Sequence, residues 1–158
     1  STRIACLKLV EAEAASIFSN ELLTRSNQIP NKIRKLLNYG ARIESKQLKQ
    51  LKSRLLDLSN RANDLFDQVD ALISPTTPQP AFPFETKVPI NQADITVLAN
   101  IANWPAISVP MGFDGIGMPL GIQFMAPAWR DATIIELARS FELSRGPLPA
   151  PADYPSSI

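Results

Sequence analysis

The sequence predicts an α/β domain in which helices cover a short mixed sheet. Three observations carry this. Apolar residues recur at three- and four-residue steps through most of the first 69 positions, short strand-like apolar runs follow after residue 70, and thirteen of the fourteen prolines lie beyond residue 74. Isolated apolar strands alternating with helices imply a sheet whose faces are covered. The chain divides into a mainly helical part, 1–69, a strand and helix core, 70–145, and a proline-rich tail, 146–158.

From Ile4 to about Leu23, the residues Leu7, Val10, Ala14, Ile17, Phe18 and Leu22 mark one buried face of a first helix. The stretch from Arg25 to Ile29 breaks it. Pro30 suits the first turn of a second helix, where its missing N–H is unneeded, and Gly40 suits a left-handed cap at that helix's end. Ser45 is placed to cap a third helix. There Leu48, Leu51, Leu55, Leu58, Ala62, Leu65 and Val69 follow three- and four-residue steps for three heptads. Leu56 and Phe66 widen that stripe beyond a coiled-coil seam, so globular packing is expected.

Beyond Asp70, the run Ala71–Ser74 reads as a short buried strand stopped by Pro75, with a proline-rich loop through Pro89. Asp94 to Ala102 has helical spacing, with Asp94 at its start to bind the free amides, and Pro105 ends it. Ala106–Val109 and Leu120–Ala126 are two further strands, joined by a turn holding Gly112, Gly115 and Gly117. Asp131 is expected to cap a last helix running to about Leu143. Residues 146–158 hold four prolines and should form an extended, weakly ordered tail.

Composition narrows the chemistry. With 158 residues, 45% of them apolar, the chain can bury a core without disulfide or metal. It contains no histidine, which excludes any Ser-His-Asp or Cys-His mechanism within it. Its one cysteine, Cys6, sits among apolar residues and reads as a small packing residue. No apolar run reaches the roughly 18 residues of a membrane span, no signal-peptide pattern opens the chain, and a cytoplasmic location is expected. The net charge is +1; the basic residues between Arg25 and Arg61 lack interleaved aromatics, so they read as a solvated face and nucleic acid is not an expected partner.

Four stretches carry a resemblance: Asp70-Ala-Leu-Ile-Ser-Pro-Thr-Thr-Pro78, Asp94-Ile-Thr-Val-Leu-Ala-Asn100, Pro105-Ala-Ile-Ser-Val-Pro-Met-Gly-Phe113 and Gly117-Met-Pro-Leu-Gly-Ile-Gln123. In order and spacing they resemble the C-terminal part of the amidase signature family, together with Ala138, Phe141 and Glu142 in the last helix. The match is dense over 70–145 and looser before it, which makes 1–145 similar to the C-terminal segment of that family's fold. Where the family usually has glycine, this chain has Asn103, the next best residue for a left-handed backbone.

The resemblance implies a hydrolase of amide C–N bonds, or a subunit that supplies ammonia for transamidation, working through a Lys, a cis-peptide Ser and a nucleophilic Ser. That machinery belongs to a glycine- and serine-rich segment upstream of everything seen here, so no catalytic residue is assigned. Such a reaction needs an activated hydroxyl, a base within about 3 Å and donors for the oxyanion. Ser108 lies mid-strand between apolar neighbours without a nearby base, and Thr76 and Thr77 read as caps of a strand end. Asp94, Thr96, Asn100 and Trp104 are the candidate substrate-pocket residues, since the family's corresponding segment lines the pocket in some members; a cap role for Asp94 and a core role for Trp104 and Phe84 are the structural alternatives.

No metal or cofactor is expected. The expected partners are the missing N-terminal amidase part, a small amide substrate in the complete enzyme, and a second copy of the chain. Self-association follows from open edges, with contact expected at Ala71–Ser74 or Leu120–Ala126. The competing reading is a catalytically inert interaction module.

Overall fold

The computed structural model of the chain describes residues 1–149. Its backbone groups into two compact units, Ser1–Leu65 with Asn100–Ala102, and Phe66–Ala99 with the residues from Asn103 onward.

In the first unit, α1 (Thr2–Ile17) starts where the Ser1 hydroxyl accepts a hydrogen bond from Ile4 N–H at 3.5 Å. The single helix expected over 4–23 is two. At Phe18 the backbone opens to φ −93°, ψ 22°, and α2 (Ser19–Thr24) follows. The expected buried stripe is also corrected: Leu7, Val10, Ile17 and Phe18 are exposed, while Ala5, Glu11 and Ala15 are buried. Small residues face inward because α3 (Asn31–Gly40) and α4 (Ser45–Asn63) pack on α1, and α3 comes very close. A β-carbon on Gly40 would stand 2.0 Å from the Glu11 carbonyl oxygen. Gly40 therefore serves close backbone approach rather than a left-handed cap; the residue after it, Ala41, is right-handed at φ −63°.

Two helix starts differ by one residue from expectation. Pro30, extended at ψ 137°, stands just before α3 instead of inside its first turn, and Glu44 rather than Ser45 precedes α4. Arg34 ties the entry to α3 by donating to the Ser26 carbonyl (3.0 Å) and the Asn31 side chain (3.3 Å). The leucine stripe of α4 holds as far as Ala62: Leu55 and Ala62 are buried, and Leu48, Leu51 and Leu58 are half-buried. The helix then tightens into a 3₁₀ turn over Asp64–Asp67, which leaves Leu65 and Val69 exposed; Leu56 is exposed as well. Lys52 and Glu13 pair at 3.1 Å between α4 and α1, both well solvated, so the pair adds little stability. The Cys6 thiol is half-buried; burial and the nearby Glu13 charge push its pKa up, which keeps it protonated and unreactive.

The second unit holds the sheet. Its strands are β1 (Leu72–Pro75), β2 (Ala106–Phe113) and β3 (Pro119–Met125), in the order β1-β3-β2, and both pairings are antiparallel rather than mixed. The central position of β3 corrects the expected contact at Leu120–Ala126: that strand is paired on both sides, so the open edges are β1 and β2. The strand prolines agree. Pro75 and Pro110 sit on edge strands and Pro119 opens the central one, the positions where a missing N–H is tolerated.

Between β2 and β3, Asp114 makes the turn: its Oδ1 accepts from Ile116 N–H (2.9 Å) and Met118 N–H (2.8 Å), and Gly117 takes φ +85°. Gly112, at φ +140°, lies where the register shifts in a β-bulge, a backbone that a side chain would strain. The last helix, α6 (Asp131–Arg145), packs on β2 and β3. Val109, Phe124, Ala126, Ile134 and Ala138 form that core, with Ile107, Ile122, Leu137 and Phe141 against it.

Two further caps are corrected. Asp131 is the first residue of α6, after Arg130, and no side chain caps this end. The helix expected from Asp94 is α5 (Val97–Ala102), preceded by turns over 90–96, with Thr96 at the cap position and no side-chain cap bond. Asp94 therefore does not occupy the cap. Asn103 does take the left-handed backbone expected of it, at φ 55°, ψ 37°. Residues 146–149 have no regular structure, and the rest of the expected tail, 150–158, lies outside the described residues.

Candidate functional site

The four candidate pocket residues lie on one stretch of sequence but in different settings. Asp94 is exposed in a turn, its N–H donating to the Asn91 carbonyl at 2.9 Å. Thr96 is half-buried at the head of α5, and Asn100 is exposed on that helix. Trp104 turns inward: it is 5% exposed, and its ring meets the edge of Phe66 with centroids 4.7 Å apart and planes at 75°. That T-shaped packing is a core arrangement. Phe84, by contrast, is fully exposed in the proline-rich loop, so a core role for it is corrected.

A cavity of 440 Å³ opens in the second unit, lined by Phe66, Val69, Asp70, Pro127, Arg130, Thr133 and Leu137. None of Asp94, Thr96, Asn100 and Trp104 lines it.

A second polar group was not visible in the sequence. Ile107 and Val109 of β2 point to α6, so alternation turns Ser108 to the other face, where the register sets it beside Gln123 of β3, and Gln123 beside Ser74 of β1. Gln123 is 4% exposed and donates to Ser74 Oγ (3.5 Å) and Met125 Sδ (3.2 Å). One step along, Thr76 Oγ1 and Ser108 Oγ share a hydrogen bond of 2.5 Å across Gly121. The signal for this row is period-two alternation, legible only once the strand order is known.

Chemically, the row is a set of neutral donors and acceptors. Ser108 Oγ pairs with a threonine hydroxyl, which is far too weak a base to take its proton, so the geometry does not activate it as a nucleophile.

The family model described as Amidase matches residues 6–135 of the chain. The chain belongs to the amidase signature family. Among relatives in this family, it is 40% identical over 102 residues to a glutamyl-tRNA(Gln) amidotransferase subunit of Synechococcus sp. (strain RCC307), covering 61% of this chain and 20% of that protein. It is 35% identical over 145 residues to the corresponding glutamyl-tRNA(Gln) amidotransferase subunit of Clostridium acetobutylicum, covering 85% and 30%. Among solved structures, an amidase superposes with a TM-score of 0.81 at 22% identity, over 92% of this chain and 36% of that one. The Thermotoga maritima glutamyl-tRNA(Gln) amidotransferase subunit gives 0.57 at 29% identity, over 78% and 27%.

The chain thus spans between about a fifth and just over a third of the length of the amidase-family proteins it matches. Among the described residues no helix is long and apolar enough to cross a membrane.

Proposed function

We propose that the chain is the C-terminal portion of a cytoplasmic amidase signature hydrolase acting on amide C–N bonds, with the Lys and the two Ser of the reaction supplied by a segment upstream of it. One observation carries the reading: within a family match over residues 6–135, the strand serines Ser74 and Ser108 bond a glutamine amide and a threonine hydroxyl, and among the described residues neither bonds a base. The relatives at 35–40% identity are amidotransferase subunits, which supports chemistry at an amide nitrogen. Asp94, Thr96 and Asn100 are then substrate-side residues. Asp94 offers a carboxylate to a cationic or amide N–H group, Thr96 and Asn100 offer neutral hydrogen-bonding groups, and Trp104 anchors the chain just beyond them in the core.

The test is reconstitution. Mixed or co-expressed with its upstream part, the chain is expected to support hydrolysis of a small amide, with Asp94→Ala raising KM severalfold and Leu72→Val leaving it near the starting value. Equal effects of the two substitutions would remove Asp94 from the substrate side.

The competing reading, an inert interaction module, draws on the exposed stripe Leu7, Val10, Ile17 and Phe18 and on the open edges of β1 and β2. Both readings expect the isolated chain to self-associate, because unpaired edges and exposed apolar stripes recruit partners. Light scattering at micromolar concentration is expected to give a dimer or larger species; a strict monomer that melts cooperatively would contradict this.

A further inference from the structure

We infer that the 440 Å³ cavity of the second unit binds a free α-amino acid with an apolar side chain. Arg130 and Thr133 hold its carboxylate, Asp70 its ammonium group, and Phe66, Val69 and Leu137 its side chain, with Trp129 covering it from the turn beside the cavity. This assignment needs nothing from Asp94, Thr96 or Asn100, none of which lines the cavity.

Two stretches of chain wall the cavity. Phe66, Val69 and Asp70 come from the 3₁₀ turn and the residues between it and β1, and Arg130, Thr133 and Leu137 come from the head of α6, where steps of three and four residues put side chains on one side. Each wall brings one charge. Among the described residues neither Asp70 nor Arg130 has an ion pair, with the other or elsewhere, and the Thr133 hydroxyl has no hydrogen bond. Both charged residues are exposed, so a ligand reaches them from solvent. A simple anion gains Arg130 but meets Asp70, a simple cation meets the reverse, and a neutral ligand leaves both charges desolvated and unpaired. A free amino acid carries both charges on one carbon at neutral pH. The volume also fits, since small-molecule sites run from roughly 300 to 1,000 Å³.

The turn beside the cavity is unfavourable twice over. Arg130 N–H closes it on the Pro127 carbonyl at 3.1 Å, and Trp129 within it takes φ +69°, a backbone that strains any residue but glycine. The same residue leaves its indole 94% exposed, although a ring of that size gains most when it is covered. Strain of this kind is characteristic of ligand clamps. Pro127 and Arg130, the two ends of the turn, both line the cavity, so an apolar ligand seated there gives the indole a surface to cover.

The experiment titrates the chain by calorimetry with L-phenylalanine, with 3-phenylpropionate, which lacks the ammonium group, and with 2-phenylethylamine, which lacks the carboxylate. Saturable binding of phenylalanine is expected, with each analogue weaker by roughly tenfold, the factor for one charge-assisted hydrogen bond. Arg130→Gln should weaken phenylalanine by a similar factor and leave 2-phenylethylamine unchanged. Asp70→Asn should do the same with 3-phenylpropionate unchanged, since one contact cannot be lost twice. Both side chains are exposed, so these variants keep the fold, which circular dichroism checks. Trp129→Gly should raise the melting temperature, because glycine accepts the left-handed backbone, and lower the affinity for phenylalanine severalfold. No saturable binding at millimolar phenylalanine overturns the site, as does binding that survives the loss of either ligand charge or is unmoved by Arg130→Gln and Asp70→Asn. Unchanged affinity in Trp129→Gly overturns the part given to Trp129.

Discussion

Replacing Gly40 with alanine is expected to destabilise the helical unit by about 3 kcal/mol or more. At an open helical position the same change stabilises by roughly 0.5–1 kcal/mol, because alanine is the better helix former. Here the sign should reverse. The added carbon would meet Glu11 O at 2.0 Å, Glu11 C at 2.3 Å and Ala12 N at 2.8 Å. All three are backbone atoms of α1, so no side chain can swing aside, and relief requires α1 and α3 to separate. Thermal melting followed by circular dichroism checks this. A fall in Tm of many degrees is expected, and an unchanged or raised Tm would mean that the two helices do not approach as described.

The second large effect lies in the sheet unit. Phe124 is 3% exposed near the end of β3, the central strand, with its ring 5.8 Å from that of Phe141, and it belongs to the cluster that joins β2 and β3 to α6. Phe124→Ala removes a large apolar side chain from a site held on both flanks by strand pairing, so the cavity cannot collapse. A loss of about 3–5 kcal/mol is expected in denaturant unfolding. Phe84→Ala, at a fully exposed ring, provides the contrast and should stay within about 0.5 kcal/mol of the parent. Similar losses for the two would place the core elsewhere.

Much of this architecture is legible in the sequence wherever a local rule decides it. The α4 stripe from Leu48 to Ala62, the strand runs around Ile73, Ile107 and Ile122, and the left-handed turn at Asn103 follow from periodicity and backbone preference. Local rules miss the features that distant partners set. Periodicity shows that α1 has an apolar stripe, Leu7 to Phe18, but not that Ala5, Glu11 and Ala15 turn inward, because the choice depends on how closely Gly40 lets α3 approach. Strand order is equally non-local: β3 pairs with β1 49 positions away through Ser74 and Gln123, and nothing in either strand marks it as central.

The same holds at the candidate site. Asp94 looks like a cap because its side chain suits one, yet turns continue to Thr96 and the helix starts later. Thr76 and Ser108 are separately unremarkable, and their bond spans 32 positions. Trp129 is the most distant from any sequence signal. It takes φ +69° in the turn where Arg130 N–H bonds the Pro127 carbonyl, a position that normally selects glycine.

On the function proposed above, this chain shapes part of an amidase site, and the groups that break the bond come from the upstream segment. Assaying the purified chain alone against small amides tests it directly. No hydrolysis above the uncatalysed rate is expected, because an activated nucleophile, its base and the oxyanion donors each contribute orders of magnitude in rate. Robust turnover by pure chain, abolished by Ser108→Ala, would contradict it.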